Sequence, residues 1–380
     1  MACENEKMTA PILSAATDRE QPSSNNNIVP DSGENDNPSD DCWEQFFIRM
    51  QQTCDPAYMH AISLNELYEQ VYASRPPLID GLLCSGTYLF VGAPKLGKSF
   101  LMAQLAYHVS LGRPLWGYNV RQGTVLYLAL EDEYRRLQER LFRMFGVEGA
   151  DELYFATSVR QLGGGLQEQL DRFVRDHPNT KLIIIDTLQK VRENGGDRYS
   201  YASDYDIVSQ LKSFADQRGI CLLLVHHTRK QQADDKFDMI SGTNGLLGAA
   251  DGAFMLQKEK RTGNAATLDI SGRDQQDQKL HLVRNPESLI WELESVETEL
   301  WKEPPDSILE AVARMMTDQS WTGTPSQLVE ALNLDLPPNA LTKRLNVKAS
   351  HLESEYGIRY ESNRTHAGRR IILNRISREA

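Results

Sequence analysis

The chain has 380 residues, a formal net charge of -12, 40% hydrophobic and 25% charged residues, so it is long enough for two or three domains and is no small stapled scaffold. Its five cysteines (Cys3, Cys42, Cys54, Cys84, Cys221) form no C-x-x-C pair and no metal spacing, which fits a reducing, cytoplasmic setting and argues against a disulfide framework or zinc site. No basic stretch followed by an apolar one opens the chain, and no apolar run reaches the roughly 18 residues of a membrane span, so no membrane partner is expected.

Met1 to about Asp41 is rich in Asn, Ser, Asp, Glu and Pro, a composition that buries too little apolar surface to offset ordering, and predicts a disordered acidic tail over 1–42. Residues 43–80 (WEQFFIRM, then AISLNELYEQVYAS) show helical spacing and are expected to pack on the edge of a core or on a neighbouring subunit. Over 81–298 short apolar β-type runs (TYLFVG, GTVLYLAL, ELYFAT, KLIIIDT, ICLLLVHH, GAFMLQ, ATLDIS) alternate with amphipathic stretches. Near-continuous runs such as LIIID and CLLLV predict strands covered on both faces, hence an α/β core with a mostly parallel sheet between helices. QKLHLVRN and LIWELE extend it as antiparallel strands. WKEPPD in 299–305 is a linker, because its prolines resist helix and strand. Residues 306–376 then read as helix (DSILEAVARMMT), helix (TPSQLVEALNL, N-cap Thr324 with Pro325 at the first position), helix (PNALTKRLNVKASHLESEYG) and hairpin, the order expected of a winged helix.

Charge is unevenly placed along this plan. Residues 1–45 hold ten acidic and two basic residues, whereas 340–380 hold nine Lys or Arg against four Glu. An acidic total therefore does not exclude nucleic acid.

GAPKLGKS, Gly92 to Ser99, matches G-x-x-x-x-G-K-[ST] at every fixed position, directly after a strand and before a helix. Its glycines let the loop curl so that backbone N–H groups face phosphates at a helix N-terminus. Gly92, Ala93, Pro94, Lys95, Leu96, Gly97, Lys98, Ser99 and Phe100 are thus expected to bind ATP, with Lys98 on the β- and γ-phosphates and the Ser99 hydroxyl on Mg²⁺. LIIIDT ends a strand in Asp186, placed to reach that metal, with a plain turn cap as the alternative. LYLALEDE ends a strand expected to lie beside the P-loop strand, which makes Glu131 the candidate to orient or deprotonate water; Asp132 and Glu133 compete, or cap the next helix. ICLLLVHHTRK brings His227 to a strand end. It could sense the γ-phosphate or serve the fold, and adjacent histidines on a strand point to opposite faces, which disfavours zinc.

These motifs, with SGTNGLLGAADGAFML and SGRD in this order and spacing, resemble the RepA-type branch of RecA-like hexameric ATPases over about residues 60–293. The resemblance implies a homohexameric ring with ATP at subunit interfaces, Glu131 as catalytic base, and helicase or DNA-translocating activity on single-stranded or forked DNA, with replication proteins as possible partners. On the same basis Arg273 of SGRD is the candidate cation donated to the neighbouring subunit's site, expected near the core's C-terminal edge, with Arg229 and Lys230 as rivals. The polar stretch Gln231–Gly248 either faces the channel of such a ring or is a surface loop. In the C-terminal part, Lys343, Arg344 and Lys348 on the third helix and Arg364, Arg369 and Arg370 about the hairpin tip suit a helix in a DNA groove with a wing on the backbone, although such modules also bind protein. An ATP-switched DNA-binding regulator, or a loader acting through protein contacts, is the alternative to a helicase.

Overall fold

The computed structural model describes residues 57–59, 61–72, 75–192, 201–228, 237, 240, 244–258, 263–273, 275–298, 304–317, 319–365 and 368–376. The acidic tail, the 43–56 segment, Arg229, Lys230 and most of 231–243 lie outside them. A short helix, α1 (Leu64–Glu69), precedes β1 (Gly86–Gly92), α2 (Lys98–Leu111), β2 (Thr124–Ala129), α3 (Tyr134–Phe145), β3 (Leu153–Ala156), α4 (Leu166–Asp176), β4 (Thr180–Asp186), α5 (Leu188–Val191), α6 (Tyr201–Arg218) and β5 (Cys221–His227). Then come α7 (Asn244–Ala249), β6 (Gly252–Gln257), β7 (Ala265–Gly272), β8 (Gln275–Arg284) and β9 (Trp291–Val296).

These nine strands form one sheet in the order β3-β2-β4-β5-β1-β6-β7-β8-β9. The first six in that order run parallel, and β7, β8 and β9 add an antiparallel flank. The apolar runs explain the layering. In β4, Leu182 and Ile184 enter one core with Tyr88, Phe90, Leu101 and Val109, while Ile183 and Ile185 enter a second with Leu89, Val91, Leu170 and Val208. Side chains alternate across a strand, so a run with no polar break must be covered on both faces. Each fully buried Leu or Ile contributes about 1.5–3 kcal/mol relative to exposure. At the sheet margin, by contrast, α3 buries only Leu137 and Met144.

The strand order corrects one expectation. β2, which leads to Glu131, does not lie beside the P-loop strand: β4 and β5 stand between them, and β2 pairs with β4. Adjacency in sequence did not become adjacency in the sheet. Because all four are parallel, their C-terminal ends still share one edge.

The C-terminal elements are α8 (Ser307–Met315), β10 (Ser320–Gly323), α9 (Pro325–Ala331), α10 (Pro338–Tyr356), β11 (Ile358–Thr365) and β12 (Gly368–Arg375). Their strands form a separate sheet, β10-β12-β11, and their apolar residues (Ile308, Leu328, Leu341, Leu345, Ile358, Leu373) form a core of their own. Thr324 caps α9 through a reciprocal bond pattern with Gln327, with Pro325 in the first turn. The hairpin register sets Arg364 opposite Arg369. No helix among the described residues is long and apolar enough to cross a membrane.

Candidate nucleotide-hydrolysis site

Where β1 ends, the chain turns through a tight loop into α2. Lys95 and Gly97 take left-handed backbone angles, φ 65° and 103°. A Cβ on Gly92 would stand 2.6 Å from the Leu256 carbonyl oxygen, and one on Gly97 would press on Arg284 and Trp291 at 3.1 Å. Both positions therefore need glycine. Gly97 is the N-cap of α2 and offers no side chain to the first-turn amides, so those donors are left for a ligand. This is an anion cradle, and it fits the triphosphate that the motif predicts.

The loop is braced from behind by β9. The Trp291 indole is fully buried and donates to the Gly97 carbonyl at 3.3 Å. Its main chain exchanges two bonds with the Gln104 amide, at 2.8 and 2.9 Å, and its carbonyl also accepts from Trp116 Nε1 at 2.7 Å. Beside it, the Arg284 guanidinium sits 5.4 Å from the Phe100 ring centroid and Arg140 sits 5.0 Å from it.

Lys98 is buried and turns inward. Its ammonium donates to the carbonyls of Gly92 at 2.7 Å and Ala93 at 3.1 Å, and to Nδ1 of His227 at 3.1 Å. Burial lowers its pKa to about 8 against the pull of Asp186 and Glu131. An ammonium has no acceptor, so His227 Nδ1 must be the unprotonated nitrogen of a neutral ring. Burial and the adjacent Lys98 charge both lower the His227 pKa, in agreement. His226, the residue before it, is instead buried, as alternation along a strand leads one to expect.

Asp186 closes β4 almost fully buried. Burial raises its pKa, while hydrogen bonds with Ser99 and Tyr127 oppose the shift. The Tyr127 hydroxyl donates to Asp186 Oδ2 at 2.8 Å. Ser99 and Asp186 thus meet as an oxygen pair suited to a hard cation such as Mg²⁺. Glu131 reaches the same edge from β2, where its Oε1 accepts from the Thr187 hydroxyl at 3.1 Å. Of its neighbours, Asp132 is paired with Arg136 and Arg140, and Glu133 occupies the N-cap of α3 without a side-chain cap bond. Lys98, Ser99, Glu131, Asp186 and His227 therefore converge. Tyr127, Thr187, Gln104 and Trp291 complete the site without having been singled out in the sequence, although a tyrosine inside the apolar run TVLYLA was a polar signal worth following.

Arg273 is elsewhere, which corrects the expected placement. β7 runs antiparallel to β6 with Gly272 opposite Gly252, so Arg273 lies where β6 begins, not where β1 and β6 end. A seven-residue strand such as β1 separates the two edges by roughly 20 Å. Its exposed side chain donates to the Gly248 carbonyl at 2.8 Å, and it cannot serve the P-loop of its own chain.

A mostly parallel sheet between helix layers, with a P-loop at the carboxyl edge of a central strand and a buried Asp two strands away, defines a RecA-like P-loop NTPase. Residues 58–233 match the AAA_25 family model, described as an AAA domain. No curated protein matches the chain. Among solved structures it is similar to one described as an ATPase domain (15% identity, 68% of this chain and 99% of that one, TM-score 0.47) and to a DnaB-like replicative helicase described with its primase interactions (16%, 66% and 71%, 0.47). A KaiC-like protein from Pyrococcus horikoshii OT3 gives 16% identity, 60% and 99% coverage and a TM-score of 0.41. The fold class rests on the strand order and the P-loop, not on these likenesses.

Proposed function

We propose that the protein is an ATP- and Mg²⁺-dependent DNA helicase or translocase of RepA-like type, working in the cytoplasm as a homohexameric ring in plasmid or mobile-element replication, where other replication proteins are its natural partners. The observation that carries this reading is the convergence of Lys98, Ser99, Glu131, Asp186 and His227 on one sheet edge. Lys98 leaves its carbonyls to bind the β- and γ-phosphates. Ser99 and Asp186 hold Mg²⁺, which when bound neutralises charge between the phosphates. Glu131, oriented by Thr187, takes the proton of the attacking water. Departure of Lys98 frees His227 Nδ1, so the end of β5 registers the state of the P-loop.

Arg273 stays the candidate cation for the neighbouring subunit's site, because a heterologous interface joins two different patches of the same chain. There it can stabilise charge on the leaving phosphate, a contribution of about 10³–10⁵ in rate where such arginines act. We read the 306–376 elements as a winged helix, with Lys343, Arg344, Lys348, Arg369 and Arg370 as DNA contacts. We assign the chain 1–42 as tail, 43–80 as lead-in, 81–298 as ATPase core and 299–305 as linker. An ATP-switched DNA-binding regulator is the second reading, favoured by the placement of basic residues on the C-terminal module.

The test is ATPase rate and strand displacement on forked DNA for wild type, Lys98→Ala and Glu131→Gln. We expect wild type to hydrolyse ATP faster with single-stranded DNA and to separate the fork. Glu131→Gln should lose about 10²–10⁴ in kcat while retaining ATP binding, whereas Lys98→Ala should lose binding as well. Hydrolysis without strand separation would favour the regulator.

A further inference from the structure

The basic face of the C-terminal module carries a tenant. Lys343 and Asn346 lie three apart on α10, hence on one face, and α1 is laid against it. Lys343 Nζ donates to Asn65 Oδ1 at 2.8 Å, Asn346 Nδ2 donates to the Tyr68 carbonyl at 2.9 Å, and Arg369 on the hairpin is ion-paired with Glu69. In all three contacts the C-terminal module is the donor and α1 supplies the oxygen. Asn65, Tyr68 and Glu69 are spaced i, i+3, i+4, so α1 presents a row of acceptors along one side, as a phosphate backbone does. Arg344 is engaged differently, with Asp306 at the start of α8, and Arg370 and Arg364 remain exposed.

The hold is weak by construction. α1 has six residues and buries none of them; Leu64 and Leu67 are 62% and 41% exposed. A helix this short has no independent stability in water, and a partly exposed ion pair contributes little. Fixed apolar packing, which would make the contact a permanent brace, is missing from α1 itself.

We infer that α1 is a built-in competitor for duplex DNA: it and the phosphate backbone occupy the α10–hairpin face in turn, so the module is masked until α1 is displaced. This rests on the DNA-binding reading given above. Glu69 stands in for a phosphate at Arg369, and Asn65 for another at Lys343. DNA offers the same donors several full charges and releases counterions on binding, which a single carboxylate cannot match.

The experiment uses the full chain, wild type beside Asn65→Ala/Glu69→Gln, which removes the two side-chain acceptors of α1 and lies outside the nucleotide site. Affinity for a short duplex is titrated at fixed salt, and hydrogen exchange of the 64–69 amides is followed with and without saturating duplex. We expect the double variant to bind duplex about 2- to 5-fold more tightly, with unchanged DNA-free ATPase, and DNA to accelerate exchange across 64–69 in wild type. Equal or weaker binding by the variant, with exchange of α1 indifferent to DNA, overturns the competition while leaving DNA binding intact. If neither protein binds duplex, and Lys348→Ala with Arg370→Ala changes nothing, the DNA-binding reading itself falls and takes the competition with it.

Discussion

The two charged regions of this molecule are built on opposite plans. At the nucleotide site Lys98 and Asp186 are buried, and each is held by named partners: Lys98 by two carbonyls and His227, Asp186 by Tyr127. On the C-terminal face the charges are more numerous, more exposed and engaged with single partners, such as Arg344 with Asp306. Low local polarity makes each buried charge strong and each misplacement costly. Solvent makes each exposed one cheap and exchangeable. The first plan suits chemistry at fixed positions, and the second suits a polyanion bound in many registers.

The sharpest way to break this contrast is to remove the brace. Trp291→Ala should cost about 3–5 kcal/mol, because the fully buried indole and its bond to Gly97 are lost together. Denaturant unfolding would show it. ATP affinity should fall in the folded fraction as well, since Gly97 loses its support. A stability change under about 1 kcal/mol would show that β9 is not what holds the loop.

A second test reads the buried charge directly. Free Lys98 has a pKa of about 8, below its unfolded value, so between these two values the unfolded chain binds the extra proton and the nucleotide-free fold gains stability as pH rises. Phosphates favour the charged form. ATP binding should therefore take up almost no proton at pH 7, about half a proton at pH 8, and weaken about tenfold per pH unit above that. Calorimetry in two buffers of different ionisation enthalpy measures the uptake; a value near zero at pH 8 would show that Lys98 does not change charge on binding.

Tyr127→Phe is a smaller change at the same place. It leaves the buried Asp186 without one hydrogen bond, at a cost of about 1–2 kcal/mol in stability. Because that bond opposes the upward shift of Asp186, the Mg²⁺ dependence of turnover should also move to higher pH.

What could be read from the sequence divides along the same line. GAPKLGKS, LIIIDT and the double-faced apolar runs are local patterns, and the P-loop, Asp186 and the parallel sheet followed from them. The capping of α9 was legible for the same reason, since Thr324, Pro325 and Gln327 lie within one turn. Strand order was not legible, because pairing of β2 with β4 is decided by packing between segments about 55 residues apart. The same limit hid the Gln104–Trp291 exchange, across 187 residues, and the edge on which Arg273 lies, which depends on the direction of β7. β10 escaped notice because SWTG is only four residues long, too short for any periodicity to register. α1 against α10 is a contact between polar residues that sequence alone reads as solvated.

The smallest effect should come from the exposed plan, and Asp306 lets it be separated from a structural one. One oxygen of Asp306 caps α8, accepting from the amides of Ile308 at 2.9 Å and Leu309 at 3.4 Å, while the other accepts from Arg344 at 3.0 and 3.2 Å. Burial pushes its pKa up, but the Arg344 and Ile308 bonds outweigh this and hold it below the usual carboxylate value. A depressed folded pKa stabilises above the unfolded value and is lost as pH falls through the folded one. Arg344→Ala should cost under about 1 kcal/mol at neutral pH, since the guanidinium it removes is half exposed, and should shrink the acid-side loss of stability. Asp306→Ala should cost about 0.5–2 kcal/mol more, because the cap goes too. Asp306→Asn keeps a capping oxygen and loses the charge, so it should track Arg344→Ala. If Asp306→Asn instead matched Asp306→Ala, the ion pair and not the cap would be holding α8, and the exposed charges of this face would be worth more than their solvation allows.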